Sequence, residues 1–136
     1  MKKALLDNLK HDTYCRVGVS KIHGVGVIAV RNIPKGVDPF RTTNRRSYRF
    51  VNLTAREVNS LPLHSRKLIK DFISPEDNGS YYVPHNGMNG LDVSFYMNHS
   101  NDNNISMHET SDDFVQFYAN RNIRKGEELF INYDEF

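Results

Sequence analysis

Residues 94–100 read Ser-Phe-Tyr-Met-Asn-His-Ser, so an apolar run ends there in a cluster of hydrogen-bonding side chains. Residues 101–104, Asn-Asp-Asn-Asn, extend the polar cluster. Such a segment is expected to leave the core and enter a loop that satisfies several donors and acceptors at once. Taken alone, it is either a ligand site or a strand end at which Asn98 and Ser100 cap local backbone groups.

Two glycines lie in a β-branched region on the N-terminal side of this segment. Residues 13–33 alternate as two short strands do. Gly24, Gly26 and Ala29 have the spacing of a dinucleotide-binding fingerprint, but that fingerprint needs a helix after its glycines, and a turn at 34–36 follows instead. The glycines therefore either let the backbone contact a ligand or only form a tight turn.

A small helical insertion is predicted in the middle of the chain. Thr54 and Glu57 have the spacing of a capping box, so a helix is expected to start at Ala55. Pro62 interrupts it, and apolar residues at helical spacing predict a second helix over 63–73.

Short strands account for the rest of the pattern. Strands or strand ends are predicted at residues 81–83, 91–93, 114–123 and 129–133. The fold class is therefore mainly β with minor α, with the helical insertion at about residues 54–74. A chain of 136 residues is expected to form one domain, 1–136, in which residues 1–12 are a flexible N-terminal segment.

The cellular setting is inferred from cysteine content and hydropathy. Cys15 is the single cysteine, so it has no partner for an internal disulfide or a zinc cluster. Asp7 and Lys10 interrupt the apolar start before a signal-peptide core forms, and no run is long enough to span a membrane. A cytoplasmic protein without membrane contact is expected.

Basic residues are concentrated in one place. The formal net charge is only +2, while residues 38–50 hold four arginines among aromatic residues: Arg41, Arg45, Arg46 and Arg49. Such a patch is typical of RNA stacking and phosphate contact, but a solvated basic loop is more common. Because nothing else in the chain extends the patch, we expect no nucleic-acid partner.

Four of these segments, read in order, carry a family resemblance. They are residues 22–27, 33–36, 92–100 and 117–133. Their order and spacing resemble the successive motifs of SET-domain protein lysine methyltransferases, and the resemblance covers nearly all of residues 14–136. It implies a β-clip-like SET-domain fold of short sheets with a C-terminal pseudoknot, in which the segment through residues 98–100 and the closing strand thread together.

The resemblance also implies an activity and its site residues. The activity is methyl transfer from S-adenosylmethionine to a lysine side chain of a protein or peptide, with cofactor and lysine entering a narrow channel from opposite faces. Tyr133 matches the family's catalytic tyrosine. The cofactor-binding residues would be the backbone of Gly24, Val25 and Gly26, then Tyr96, Asn98 and His99, and finally Phe136 stacked on the adenine. The lysine channel would be lined by Tyr82, Met107, Tyr118 and Ile131.

This chemistry is consistent with the residue types present. Methyl transfer to an amine is an in-line displacement that needs no metal, so alignment and exclusion of water should supply most of the acceleration. The reacting lysine must be neutral, although its free pKa is about 10.4. Because a tyrosine has a pKa of about 10, the main expected role of Tyr133 is to position the amine and stabilise charge, and proton abstraction is secondary.

Some positions depart from the family pattern. Residues 101–103 lack the cysteine and proline that often follow Asn-His-Ser, and residues 37–40, Val-Asp-Pro-Phe, do not match the acidic and tyrosine pattern that many members carry there. Only three residues follow Tyr133, with no cysteine-rich segment to close the channel. A second subunit could complete the channel in a homodimer. The alternative function is a catalytically weak or inactive SET-like module that binds a peptide or protein partner.

Overall fold

The structure is a computed structural model that describes residues 1–43, 50–109 and 115–135. The helices are α1 (Lys2–His11), α2 (Ala55–Asn59) and α3 (Leu63–Phe72). The strands are β1 (Cys15–Val19), β2 (Val25–Ala29), β3 (Phe50–Leu53), β4 (Tyr81–Pro84), β5 (Asn98–His99), β6 (Ile105–Glu109), β7 (Val115–Ala119) and β8 (Glu128–Ile131). Single turns of 3₁₀-helix cover Met88–Gly90, Val93–Tyr96 and Tyr133–Glu135. The predicted class, mainly β with a few helices, is confirmed.

The chain divides into two compact units. The first, called the sheet unit, combines Met1–Arg45 with Asp92–Phe136. The second, called the insert unit, is Arg46–Leu91. The insert unit is longer than the helical insertion predicted at about residues 54–74, because strands β3 and β4 flank the helices and pair with each other.

A four-stranded sheet with the order β1-β2-β8-β5 organises the sheet unit. Strands β1 and β2 form the predicted antiparallel hairpin, from Cys15 opposite Ala29 to Val19 opposite Val25. Strand β8 pairs antiparallel with β2 and parallel with β5. The two segments that the resemblance threads together, residues 98–100 and the closing strand, are therefore hydrogen-bonded neighbours.

Apolar side chains from distant segments of the sheet unit share one core. Val27, Ile33, Met97, Ile105, Ala119, Ile123 and Leu129 are all buried in it. An antiparallel bridge between Ile33 and Ile123 joins the predicted turn at 34–36 to the segment after β7. This packing fixes where β2, β5 and β8 end, and so fixes the positions of the residues at their ends.

The buried Asn104 side chain acts as a short partner strand for β8. Its Nδ2 donates to the Glu128 carbonyl oxygen at 2.9 Å, and its Oδ1 accepts from the Phe130 N–H at 2.8 Å. Its own carbonyl accepts from the Asn120 N–H at 2.9 Å. Because the side chain is only 2% exposed, these backbone groups depend on it for their hydrogen bonds.

The insert unit follows its sequence pattern closely. Thr54 and Glu57 make both bonds of the capping box, and α2 starts at Ala55 as predicted. Helix α3 confirms the second predicted helix. The apolar face of these helices packs Val58 and Ile69 against residues of β4.

Some strand predictions differ from the structure, and helix α1 and strand β6 were not predicted. Residues 91–93 form no strand, because the Asp92 carboxylate accepts from the Ser94 N–H and turns the chain into a 3₁₀-helix. The N-terminal segment 1–12 contains helix α1. The closing strand ends at Ile131, so Tyr133 lies in a 3₁₀ turn.

The basic patch lies mostly outside the described residues. Among them, Arg41 lies 3.9 Å from the Asp12 carboxylate, while Arg45, Arg46 and Arg49 are outside the described ranges. None of the helices within residues 1–43, 50–109 and 115–135 has the length and apolar character needed to cross a membrane.

Replacing Asn104 by alanine should destabilise the sheet unit strongly. The change leaves two partly buried backbone groups of β8 without this partner, which costs roughly 1–3 kcal/mol each. Urea unfolding should therefore show a large decrease in the free energy of unfolding for Asn104→Ala. Asn122→Ala is the matched control, because the exposed Asn122 also binds backbone, at the Lys35 N–H, and its partner can turn to water. Equal losses for the two variants would contradict the role assigned to Asn104.

Candidate functional site

The loop between β1 and β2 is shaped by Ser20. Its Oγ accepts from the N–H groups of Ile22 and His23 at 3.1 and 3.2 Å, and its own N–H donates to the Gly24 carbonyl at 2.9 Å. Gly24 has a φ of +51°, and a Cβ placed on it would meet no atom within 4 Å. The backbone at Gly24 therefore borders open space that a ligand can approach.

Asn98, at the start of β5, holds this loop. Its Nδ2 lies 3.1 Å from the His23 carbonyl oxygen, 3.0 Å from the Val25 carbonyl oxygen and 3.0 Å from Glu128 Oε2. Three acceptors share the two hydrogens of one amide group. The segment 94–100 is therefore joined to the glycine loop by the Asn98 side chain, and Asn98 does more than cap local backbone groups.

Gly26 is crowded by the same group of residues. A Cβ on Gly26 would lie 2.6 Å from Glu128 Oε2 and 3.2 Å from Asn98 Nδ2. Glycine therefore leaves room for the Glu128 carboxylate, which a larger residue at position 26 would displace. This reason differs from the two that the sequence left open, ligand contact and a tight turn.

His99 connects β5 to Tyr133. The Tyr133 N–H donates to His99 Nδ1 at 2.9 Å, and the two rings lie 5.2 Å apart at an angle of 42°. Because Nδ1 accepts this hydrogen bond, Nε2 is the ring nitrogen left to donate. The His99 side chain thus orients the residue expected to be catalytic, a contact that the sequence did not predict.

The Tyr133 phenol is anchored by main chain. Its hydroxyl donates to the Met97 carbonyl oxygen at 2.6 Å, and the residue is 49% exposed. Partial burial raises the pKa of Tyr133 above its usual value. The phenol is therefore protonated at neutral pH and can accept a hydrogen bond from an amine, but it is poorly suited to remove a proton.

The backbone of β5 fits the adenine contacts that the resemblance implies. Strand β5 is the last strand of its sheet, and the Ser100 N–H donates to the Ile131 carbonyl oxygen of β8 at 2.9 Å. Successive residues of a strand direct their N–H and C=O groups to opposite edges, so those of His99 point away from β8. Together with the open space at Gly24, this edge fits S-adenosylmethionine.

The structure adds little about the other two predicted cofactor residues, Tyr96 and Phe136. Tyr96 is partly buried against the apolar core of the sheet unit. Phe136 lies outside the described residues, so its stacking on the adenine stays a prediction.

The predicted channel residues fall into three places. Met107 and Ile131 line one small pocket of about 10 Å³, roughly the space of one water molecule. Tyr118 pairs with Ser106 across the β6–β7 hairpin and stacks on His108 with ring centroids 4.2 Å apart, so it lies on the opposite face from Met107. Tyr82 belongs to the insert unit and is 37% exposed. The structure thus brings together Met107 and Ile131 but not Tyr118.

Neither a metal nor a reactive thiol is evident in the described part of the chain. Within it, no group of three or more His, Cys, Asp and Glu residues is placed to hold a metal ion. Burial, with the nearby carboxylates of Asp38 and Asp92, raises the pKa of the Cys15 thiol to about 12. Cys15 is therefore a protonated, unreactive thiol at neutral pH.

Comparison with protein families gives a match that covers most of the chain. The sequence matches the family model of the SET domain over residues 24–134. No curated protein matched the sequence.

Two solved structures resemble the fold. One is a Plasmodium falciparum protein provisionally assigned as a histone methyltransferase, with a TM-score of 0.58, 22% identity and coverage of 89% of this chain and 93% of that chain. The other is a humanized mutant of the Chaetomium thermophilum Polycomb Repressive Complex 2 bound to an inhibitor, with a TM-score of 0.61, 21% identity and coverage of 98% of this chain. This chain spans only 18% of that second chain. At these identities the likeness is one of fold.

The ionisation of Tyr133 should occur above the usual tyrosine pKa of about 10. Burial raises the pKa of Tyr133, so the phenol is neutral below pH 10. Above about pH 10 it ionises more readily in the unfolded chain than in the folded one, so the free energy of unfolding should fall as the pH rises. Carbon-13 NMR of ring-labelled tyrosine measures this titration, with the resonance assigned by its loss in Tyr133→Phe. A midpoint at or below 10 would contradict the prediction.

Proposed function

This chain belongs to the SET-domain family, and on that basis we propose that it is a protein-lysine N-methyltransferase that uses S-adenosylmethionine. One observation carries the proposal: two consecutive residues join the three functional segments. The Asn98 amide contacts the carbonyl groups of the glycine loop, and the His99 imidazole contacts Tyr133. The loop for the cofactor and the residue that carries the phenol are therefore both contacted by one strand, β5.

Main-chain groups would hold the cofactor. The backbone of residues 24–26 would contact its methionyl end, and the outward edge of β5 at His99 would contact the adenine. When bound, S-adenosylmethionine supplies a methyl group on a positively charged sulfur. Because these contacts come from backbone held by side chains, they need little rearrangement on binding.

Tyr133 would act on the incoming lysine. Its hydroxyl proton is directed at the Met97 carbonyl, so the oxygen lone pairs remain to accept from an N–H of the amine. The raised pKa of Tyr133 keeps its phenol protonated at neutral pH, which disfavours a role as a base. Loss of the lysine proton would then go to water, and Tyr133 would orient the neutral amine for in-line attack.

The substrate class rests on the family membership and on a solved structure of similar fold. Met107 and Ile131 line a pocket of only about 10 Å³, so their contact with the methylene groups of a lysine stays a prediction. The Plasmodium protein's assignment as a histone methyltransferase supports a protein substrate. The placements of Tyr82 and Tyr118 in the channel, and the completion of the channel by a second subunit, stay predictions.

Calorimetric titration should detect binding of S-adenosylmethionine to the wild-type protein. The open space at Gly24 and the free edge of β5 provide backbone contacts for it, so saturable heat is expected. The absence of both heat and a thermal shift at millimolar cofactor would contradict the proposed function. Binding of a lysine peptide without turnover would instead support the SET-like binding module.

Tyr133→Phe should lower methyl transfer to a lysine peptide by roughly 10²-fold or more, because a positioned hydrogen-bonding group is lost at the reacting centre. Cofactor affinity should change little, since the phenol contacts the amine side. Mass spectrometry of the peptide measures transfer, and calorimetry measures affinity.

Tyr14→Phe is the matched control for this variant. Tyr14 is a buried core residue whose ring lies under the Arg31 guanidinium at 4.4 Å, and the substitution keeps that ring. Full activity is expected for the control. Unchanged turnover in Tyr133→Phe would remove Tyr133 from its role.

A further inference from the structure

We infer that Ser20 and Glu128 are positioning residues for the cofactor site, acting as a bridge that holds the glycine loop and Asn98 in their binding geometry. The bridge is the hydrogen-bonded pair Ser20 and Glu128, and Glu128 also binds the Asn98 amide. This inference rests on the proposed function and deepens it, because it concerns residues that would touch neither cofactor nor substrate.

Ser20 fixes the N-terminal half of the loop. Its Oγ accepts from the backbone N–H groups of Ile22 and His23, and it donates its own proton to Glu128 Oε1 at 2.7 Å. The hydroxyl therefore uses its one donor and both acceptor positions. Loss of the hydroxyl would free two N–H groups of the loop at once.

Asn98 fixes the C-terminal half of the loop. Its amide donates to the carbonyl oxygens of His23 and Val25 and to Glu128 Oε2. One carboxylate oxygen of Glu128 therefore binds Ser20, and the other binds Asn98. Because Glu128 lies in β8, the bridge ties the cofactor loop to the strand that leads to Tyr133.

A carboxylate is the group that suits this position. Both of its partners, the Ser20 hydroxyl and the Asn98 amide nitrogen, are donors, and a carboxylate accepts through both oxygens. A glutamine would turn its NH₂ group toward one of these donors in either orientation. If Asn98 rotated its amide to compensate, it would lose the carbonyl groups of His23 and Val25.

The expected consequence is for binding and not for the chemical step. A loop held before the cofactor arrives has less conformational entropy to lose on binding. The bridge leaves Tyr133 in place, since its phenol is held by the Met97 carbonyl and its backbone N–H by His99. Weakening the bridge should therefore raise the dissociation constant and KM for the cofactor while kcat is retained.

The test compares Ser20→Ala and Glu128→Gln with matched controls in the full chain. Ser60→Ala removes a serine hydroxyl that bonds only the nearby Glu57 carbonyl, and Glu127→Gln alters a neighbouring carboxylate that binds its own turn at the Arg124 N–H. Calorimetry gives dissociation constants for S-adenosylmethionine and for uncharged S-adenosylhomocysteine. Steady-state kinetics give KM and kcat, and amide exchange without cofactor reports on residues 22–26.

Both bridge variants should bind S-adenosylmethionine and S-adenosylhomocysteine about tenfold more weakly, the effect of one lost hydrogen bond to a charged group. Their loop amides should exchange faster, with kcat near the wild-type value. Ser20→Thr keeps the hydroxyl and should restore affinity, so a poorly folded alanine variant would not remove the test. The two controls should behave like the wild type.

Distinct results would overturn the inference. If both bridge variants kept the wild-type cofactor affinity and the wild-type amide exchange of residues 22–26, Ser20 and Glu128 would not position the loop. Loss of affinity for S-adenosylmethionine alone would assign Glu128 to direct charge attraction for the sulfonium and not to positioning. If the wild type bound no cofactor, the proposed function would fail, and loop exchange alone would decide whether the bridge orders the loop.

Discussion

The parallel pairing of β5 with β8 is the contact on which the remaining site geometry depends. It is only two residues long, Asn98 with Phe130 and His99 with Ile131, yet each of the paired β5 residues extends a side chain to another segment. So short a pairing is marginal by itself. The buried Asn104 amide adds two hydrogen bonds along β8, and the apolar core closes around Leu129, which keeps the pairing in register.

Sequence reasoning succeeded where the signal is local. The capping box at Thr54 and Glu57 specifies its helix start by two reciprocal bonds within four residues. The β1–β2 hairpin follows from alternation around a glycine turn. The family was identified because its four short motifs keep their order. That order grouped Asn98, His99 and Tyr133. In the structure, a hydrogen bond joins His99 to Tyr133, while the adjacent Asn98 binds the glycine loop.

The remaining features depend on contacts between distant residues. Ser20 and Glu128 are 108 positions apart, and neither residue type signals the other. The face of Tyr118 depends on the register of the β6–β7 hairpin, which alternation in one strand does not determine. Tyr133 was assigned to a strand because apolar residues precede it, but the Asp134 N–H bonds to the Asn132 side chain and helps to turn the chain.

The strand order has a consequence for how the protein is made. Strand β8 lies between β2 and β5 in the sheet, although it follows both of them by many residues in the chain. On the ribosome, the segments around β2 and β5 would emerge well before the strand that joins them. The sheet can close only after residues 128–131 have been synthesised, and such long-range pairing folds slowly. Until then the exposed strand edges would be the natural targets of chaperones.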